Sequence, residues 1–329
     1  MTTTTAPAYQ RLVTHPQGSP EWHEQRTHGI GASDVAAILG LSPWQTPLGV
    51  YRTKMGVPNE IDENLAFFGH ALEEPIATWI IEKRPEVGPV SPGASYRSRE
   101  WPWLTAAPDR LAYDRLRPGD PLPVELKTSS AFGREKWADG VPLYYEAQVQ
   151  TQLAVLGAPY GWLAVLHGGN TPELFRVERD DEFIVEHLIP KTRAFWEDHV
   201  LAKVAPEAST AMEHASLFTP DPEKTIELAP TLEEALDRRA VLLSDALAEE
   251  KEAKAKREEA DAIQLAVLNY AGDAQYITIH GKPRWEIRQV KGRRSVSVAD
   301  VEQKHPELYG DLVKTGNPRT VLSIMKDTK

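Results

Sequence analysis

The chain has 329 residues, of which 41% are hydrophobic and 26% charged, an ordinary composition for a globular protein with one large core or two smaller ones. It contains no cysteine, which excludes disulfides, thiolate zinc sites, cysteine-ligated iron–sulfur clusters and a cysteine nucleophile. Its net charge of −11 argues against nonspecific coating of nucleic acid, but it does not exclude a nuclease whose basic residues are confined to a groove.

Residues 1–18 are rich in Thr, Ala, Pro and Gly and show no periodicity, which predicts a disordered arm. Residues 2–5 lack the basic and apolar regions of a signal peptide. No apolar run approaches the length needed to span a bilayer. We therefore expect a cytoplasmic protein without a membrane partner.

Ordered structure is expected from Ser19. A Ser N-cap, Pro20 at the first helical position and an acidic first turn predict a short helix that ends near Gly29. Residues 29–40 then read as a glycine-rich turn that enters a second helix, closed by Gly40. Backbone amides at such a helix start attract anions.

Residues 64–83 have the periodicity of one amphipathic helix. Its predicted core positions are Leu65, Phe68, Leu72, Ile76, Ala77 and Ile80. Gly69 is expected to allow a close approach on the inner face of this helix. Of the two acids Glu73 and Glu74, the i, i+4 spacing from Gly69 selects Glu73 as the one that faces inward.

The pairs Pro108-Asp109 and Glu125-x-Lys127 are the strongest chemical signal in the chain. Alternate residues of a strand share one face, so Glu125 and Lys127 are expected to point away from the core together. If that strand pairs with the one ending at Asp109, two carboxylates and an ammonium converge, which suits a hard cation such as Mg²⁺ and phosphodiester hydrolysis. The alternative is a turn-forming aspartate beside a solvated strand face.

Residues 143–156 read as a helix with two polar or small-residue stripes. One contains Tyr145, Gln148 and Gln152, and the other contains Tyr144, Ala147, Thr151 and Ala154. Strands are predicted at 162–166 and 174–177, followed by a helix over 180–200 with a kink at Pro190. The element order predicts an α+β or mixed α/β fold for a domain over 19–205.

Beyond residue 205 the composition changes. Residues 206–230 read as a linker, 231–270 as a long charged helix, and 271–329 as a small basic α+β extension that begins with a β-hairpin. The extension carries 11 Lys and Arg against 7 Asp and Glu, a net charge of +4. Its basic residues either contact DNA or guard an edge strand; they are Lys282, Arg284, Arg288, Lys291, Arg293 and Arg294.

Four motifs in order resemble the YqaJ-like viral recombinases, phage nucleases similar to lambda exonuclease with a PD-(D/E)xK core. They are EWHEQR followed by IGAS (21–26 and 30–33), GHALE (69–73), PD with ELK (108–109 and 125–127), and AQVQ (147–150). The resemblance covers roughly residues 19–200. It implies a restriction-endonuclease-like core in which a central mixed sheet is flanked by helices.

The family resemblance implies a role for each matching residue. Asp109 and Glu125 would be ligands of Mg²⁺, for which Mn²⁺ can substitute, and Glu73 a further acidic ligand or water contact. Lys127 would activate the nucleophilic water, and Gln148 would orient that lysine or the water.

A second set of matching residues would bind the DNA end. Arg26 and Ser33 would hold a 5′-terminal phosphate, with Trp22 packed beneath Arg26. Alternatively, Ser33 is only an N-cap and Arg26 only a surface pair. Arg110 stands where relatives usually have glycine.

The resemblance implies a 5′ to 3′ exonuclease on linear double-stranded DNA. Its partners would be DNA ends and a phage single-strand annealing protein, and it would form a trimer or another ring, which the long C-terminal extension could alter. The alternatives are an endonuclease on the same core and, with less support because Asp109, Glu125 and Lys127 are intact, a non-catalytic DNA-end-binding protein.

Overall fold

The structure, a computed structural model, describes residues 7–16, 18–57, 63–113, 120–219, 223, 225–227, 229–279 and 282–287. The described chain forms two compact units, one ending at Leu217 and the other beginning at Phe218. None of the described helices is long and apolar enough to cross a membrane.

The first unit contains two sheets and eight α-helices within its described residues. The strands are β1 Tyr9–Arg11, β2 Ile30–Gly31, β3 Val90–Pro92, β4 Tyr96–Ser98, β5 Leu104–Ala106, β6 Arg110–Tyr113, β7 Pro121–Ser129, β8 Tyr160–His167 and β9 Thr171–Glu178. The helices are α1 Pro20–Thr27, α2 Ala32–Ile38, α3 Pro47–Lys54, α4 Glu63–Ala71, α5 Glu73–Lys83, α6 Leu143–Leu156, α7 Ile189–Ala194 and α8 Ala211–Leu217. Short 3₁₀ segments occupy Pro85–Val87 and Ala131–Trp137.

The central sheet has the strand order β3-β6-β7-β8-β9. It is mixed, because β7 and β8 run parallel while the other neighbours are antiparallel. The α6 helix connects the parallel pair, and buried Val149 and Leu153 lie on it, in the same core as Val124 and Leu163. The expected mixed α/β fold with a central mixed sheet is confirmed.

The second sheet, β1-β4-β5-β2, orders part of the segment that we expected to be a disordered arm. Tyr9 pairs with Ser98 in the antiparallel ladder, and its ring lies edge-on to Tyr96 at 4.9 Å between centroids. Composition missed this strand because its stability comes from long-range pairing. Residues 1–6 lie outside the described part of the chain.

The single helix predicted over 64–83 is divided at Leu72, where α4 ends and α5 begins. Ile76, Ala77 and Ile80 on α5 are buried as expected. On α4, however, Leu65 and Phe68 are 75% and 60% exposed, so their core assignment is wrong. The break changes the direction of the apolar stripe. The expected close approach at Gly69 is also absent from the described structure, where a Cβ at this position would meet nothing within 4 Å.

The helical segment after β9 follows the prediction for residues 180–200 but varies in winding. π-Helical turns at Phe183–Leu188 and Phe195–Leu201 flank α7. Pro190 lies inside the continuous helical stretch, where the first π-helical turn passes into α7. The short α8 helix falls inside the segment that we interpreted as a linker.

The second unit is dominated by α9, Pro230–Ala271, which confirms the long charged helix. A hairpin of β10 Tyr276–Ile279 and β11 Lys282–Glu286 follows. Lys282 and Arg284 lie on β11 and are exposed. The remaining members of the predicted basic cluster, Arg288, Lys291, Arg293 and Arg294, lie outside the described residues.

Candidate active site

Asp109 lies immediately before β6, at the start of a strand rather than at the end of one as the sequence suggested. β6 and β7 pair so that Arg110 lies opposite Val124, which brings Asp109 beside Glu125. Asp109 Oδ2 accepts a hydrogen bond from Leu126 N at 2.7 Å. On the other side, Gly93 N donates to Asp109 O at 3.1 Å. The carboxylate is thus held by β7, while the Gly93 amide holds the backbone carbonyl of Asp109.

Glu125 is the most heavily bonded side chain of the site. It is only 2% exposed, although it lies on the strand face opposite to the core residues Val124 and Leu126. Its Oε1 accepts from Lys127 Nζ at 2.5 Å and from Gln148 Nε2 at 2.6 Å, and its Oε2 accepts from Gln152 Nε2 at 2.6 Å.

The two glutamines reach Glu125 because they are four residues apart on α6 and therefore lie on one face of the helix. The stripe predicted from the sequence contains both residues, although a role in the site was assigned to Gln148 alone. Gln152 Oε1 is buried and has no hydrogen-bond partner among the described residues. It is an acceptor available to a ligand.

Burial and the neighbouring charges set the protonation of this centre. Burial, and next the charge of Glu125, raise the pKa of Asp109 well above its usual range, although Lys127 and the Leu126 amide oppose the shift. For Lys127, burial disfavours the charged form, but the carboxylates of Glu125 and Asp109 outweigh it and raise the pKa. Lys127 is therefore an ammonium at neutral pH.

Glu73 lies at the edge of this centre, where its charge adds to the causes that raise the pKa of Asp109. Glu73 contacts Arg110 Nη1 at 3.6 Å and His70 Nδ1 at 3.1 Å. Its side chain is 21% exposed against 79% for Glu74, which confirms that Glu73 faces inward. Arg110 Nη2 holds Glu74 at 2.8 Å.

The carboxylates of this centre are candidate ligands for a divalent cation. Among the described residues, no three acidic or histidine side chains converge as a metal-binding group, so Glu73 does not join Asp109 and Glu125. The two carboxylates are nevertheless hard oxygen donors, and so is Gln152 Oε1, which has no hydrogen-bond partner among the described residues. Mg²⁺ usually binds one or two carboxylates and keeps several waters. The residues fit such an ion.

A second charged cluster holds Arg26. Its Nη2 lies 2.8 Å from Asp34 Oδ1, and the guanidinium lies 4.7 Å from the centroid of the Trp22 ring, as expected for Trp22 packed beneath it. Lys54, fully buried, donates to Asp34 Oδ2 at 2.6 Å and to Arg26 O at 2.8 Å. Two cations therefore share one carboxylate.

The partners of Asp34 decide its charge. Burial alone would raise the pKa of Asp34, but Lys54 and Arg26 outweigh burial and lower it. With Asp34 ionised, the cluster carries a surplus positive charge. Ser33 is exposed beside it in the first turn of α2, whereas the N-cap is Gly31, whose amide donates to Asp34 Oδ2 at 2.9 Å. The alternative of Ser33 as only an N-cap is thus wrong.

One cleft of about 470 Å³ joins the two clusters. Its walls include residues of both, among them Trp22, Arg26, Ser33, Asp34, Asp109, Glu125, Gln148 and Gln152. Sequence reasoning missed Asp34 and Lys54, whose partnership spans 20 residues and leaves no local pattern. The cleft thus places Arg26 and the carboxylates of Asp109 and Glu125 in the walls of one cavity.

The central mixed sheet brings Asp109, just before β6, beside Glu125 and Lys127 on the paired strand β7, as expected from the PD and ELK motifs. Residues 21–159 match the model of the YqaJ-like viral recombinase domain. This match confirms the resemblance predicted from the motifs, and it contains all of the cleft residues named above.

Two individual proteins share between 21% and 36% sequence identity with this chain. The chain is 36% identical over 200 residues to the uncharacterized protein YqaJ of Bacillus subtilis (strain 168), and the alignment covers 59% of this chain and 60% of that protein. Among solved structures, the alkaline exonuclease LHK-Exo of Laribacter hongkongensis is 21% identical with a TM-score of 0.45, covering 56% of this chain and 94% of the other. The structure of LHK-Exo in complex with dAMP is 22% identical to this chain with a TM-score of 0.47, and the two coverages are the same.

Proposed function

We propose that this chain is a metal-dependent deoxyribonuclease that degrades linear double-stranded DNA from 5′ to 3′. The observation that carries the proposal is the arrangement around Glu125. Three side chains, from Lys127, Gln148 and Gln152, orient this carboxylate beside Asp109, and the same cleft reaches Arg26. The buried Glu125 carboxylate, oriented beside Asp109 and an ammonium, suits phosphodiester hydrolysis.

Asp109 and Glu125 would hold the divalent cation, Mg²⁺ or Mn²⁺. When bound, the ion polarises the scissile phosphate and lowers the pKa of a coordinated water. Lys127 supplies a fixed positive charge at the reacting phosphate and donates a hydrogen bond to the attacking water. Gln148 and Gln152 keep Glu125 in one rotamer, so no reorganisation is needed when charge develops.

The proposed polarity follows from the Arg26 cluster. A guanidinium fork suits a terminal phosphate, and the Lys54 ammonium supplies the surplus charge that a dianionic end requires. Ser33 offers a hydroxyl beside it. With a 5′-phosphate held here, the first phosphodiester would lie toward Asp109 and Glu125.

In this function the 3′ tails left by digestion are substrates for a single-strand annealing protein. We further propose that the protein acts in the bacterial cytoplasm as a homo-oligomer, a trimer or another ring, because a closed ring would keep the enzyme on its DNA.

The test is digestion of a linear duplex labelled at its 5′ or 3′ ends, beside a covalently closed circle of equal length, with Mg²⁺ and with a chelator. We expect metal-dependent release of mononucleotides from phosphorylated 5′ ends and an intact circle. Cleavage of the circle would identify an endonuclease on the same centre. DNA that stays intact in every arm would leave only end binding.

A matched pair of variants separates the two halves of the cleft. Arg26→Ala should digest phosphorylated and hydroxyl 5′ ends at equal rates, while Lys127→Ala should keep the preference in binding but lose hydrolysis. An Arg26→Ala variant that retains the full preference for phosphorylated ends would remove the proposed end pocket.

A further inference from the structure

Trp44 is a large aromatic side chain that is 68% exposed beside the cleft. It follows α2 on a short loop that is fixed at two points. Ser42 N donates to Ala36 O at 3.1 Å, and Ser42 Oγ accepts from the amides of Trp44 and Gln45, each at 3.2 Å. The indole is therefore presented by an ordered backbone.

The indole belongs to an aromatic cluster that leads to the reaction centre. Trp44 packs edge-on against Tyr144, with centroids 4.9 Å apart, and lies 5.9 Å from Tyr145. Tyr145 in turn lies with its ring centroid 5.3 Å from Lys127 Nζ. One ring thus separates the exposed indole from the ammonium of the active centre.

The α6 helix fixes the position of this cluster relative to Glu125. Tyr144 and Tyr145 precede Gln148 by four and three residues, so they lie one helical turn, about 5.4 Å, along the face that contacts Glu125. Gln45, next to Trp44, lines the same cleft as Glu125. The aromatic surface is continuous with the cleft.

We propose that Trp44, supported by Tyr144, is a nucleobase-stacking subsite of this cleft. This inference rests on the proposed function. The cleft walls bind phosphate and metal through charged groups, whereas the indole offers a flat apolar face that only a planar ring covers well. Stacking on aromatic side chains accepts any base, as a nuclease without sequence preference requires.

The occupant is a base of the DNA strand held in the cleft rather than a second copy of the chain. The cluster borders Lys127 directly, so a protein seated on Trp44 would close access to the reaction centre. A base attached to a nucleotide in the cleft has the indole face within its reach.

The experiment measures binding of a short 5′-phosphorylated single strand by fluorescence anisotropy, under conditions where a gel shows the strand intact. A series of strands carries one abasic residue at successive positions from the 5′ end, which removes a base and keeps every phosphate. For the full-length wild type, we expect one position at which the abasic residue weakens binding about 5- to 150-fold.

Trp44→Ala should bind the complete strand as weakly as wild type binds that abasic strand and should show no preference between the two. Trp44→Phe should keep most of the preference because it keeps a ring. Tyr270→Ala, which removes an exposed aromatic of α9 in the second unit, is the matched control and should behave as wild type.

A Trp44→Ala variant that keeps the wild-type preference for the base would overturn the subsite. The subsite would also be overturned if light scattering showed that Trp44→Ala changes the oligomeric state while the preference for the base stays as in wild type. The indole would then be a protein contact. Digestion of end-labelled duplex by the same preparations tests the nuclease itself, so failure of the subsite and failure of the proposed function give different results.

Discussion

Lys54 Nζ lies 2.6 Å from Asp34 Oδ2, and neither side chain is more than 2% exposed. The pair is joined to the cleft by Arg26, which shares the same carboxylate. Burial lowers the pKa of Lys54, and only Asp34 opposes that shift. A buried ammonium of this kind is costly unless it is paired, so the pair fixes α3 against the start of α2.

Lys54→Met is expected to destabilise the protein by about 3 kcal/mol, the low end for breaking a buried ion pair, because Arg26 still neutralises Asp34. It should also weaken any preference for phosphorylated 5′ ends, since the surplus positive charge is lost. Urea unfolding and end-preference assays measure the two effects. The double variant Asp34→Asn, Lys54→Met should recover part of the stability but not the preference.

Lys127→Ala is expected to lower hydrolysis roughly 100- to 1000-fold, the size typical for removal of one group that stabilises a transition state. Asp109 and Glu125 remain, so calorimetry should still detect Mg²⁺ binding. Loss of metal binding together with activity would show that Lys127 only holds Glu125 in place. Lys127→Arg keeps the positive charge and is the control for the loss of that charge in Lys127→Ala.

The metal-free protein should lose stability as pH rises, in the range where Asp109 ionises. The raised pKa means that the folded state keeps this proton after the unfolded state has released it. Unfolding free energy therefore falls from about pH 4, the unfolded value, through the raised folded pKa. Asp109→Asn should remove that component and be the more stable protein at neutral pH.

Added Mg²⁺ should reverse the pH effect in wild type, because the cation compensates the repulsion between Asp109 and Glu125, and should leave Asp109→Asn almost unchanged. Thermal unfolding at several pH values with and without Mg²⁺ measures both. A wild type and variant with parallel pH profiles would contradict the assigned cause of the shift.

Gly93→Ala is expected to displace the segment that carries Asp109. A Cβ at Gly93 would lie 1.8 Å from Pro108 O, which the backbone must move to avoid. Stability should fall by about 1–3 kcal/mol, as for other overpacked sites, and activity should fall with it. Gly69→Ala is the control, because open space surrounds its Cβ and alanine favours the helix by about 0.5–1 kcal/mol.

Local patterns predicted the parts of this molecule that local forces decide. Ser19 caps α1, and α6 spans the predicted residues, because a cap and helical periodicity act within a few residues. The two-residue period of β7 likewise placed Glu125 and Lys127 together. The presence of Asp109 beside them needed the additional assumption of strand pairing.

The sequence could not reveal what depends on distant partners. Leu65 has the spacing of a core residue, but the break at Leu72 turns α4 so that it stays exposed. Lys54 shows no local sign of being buried, because its partner Asp34 lies on another helix. Arg110 was noticed only as a departure from the family, and its contacts with Glu73 and Glu74 emerge only in three dimensions.

The parallel connection from β7 through α6 to β8 has a consequence for folding. It supplies Glu125, Lys127, Gln148 and Gln152 from one uninterrupted stretch, so the loop that must close to form the reaction centre is short and its entropic cost is small. The Arg26 cluster reaches the same cleft only when α1 to α3 dock from far along the chain. The contacts around Glu125 therefore join residues closer together in sequence than the contacts around Arg26, and the half of the cleft around Glu125 can form first.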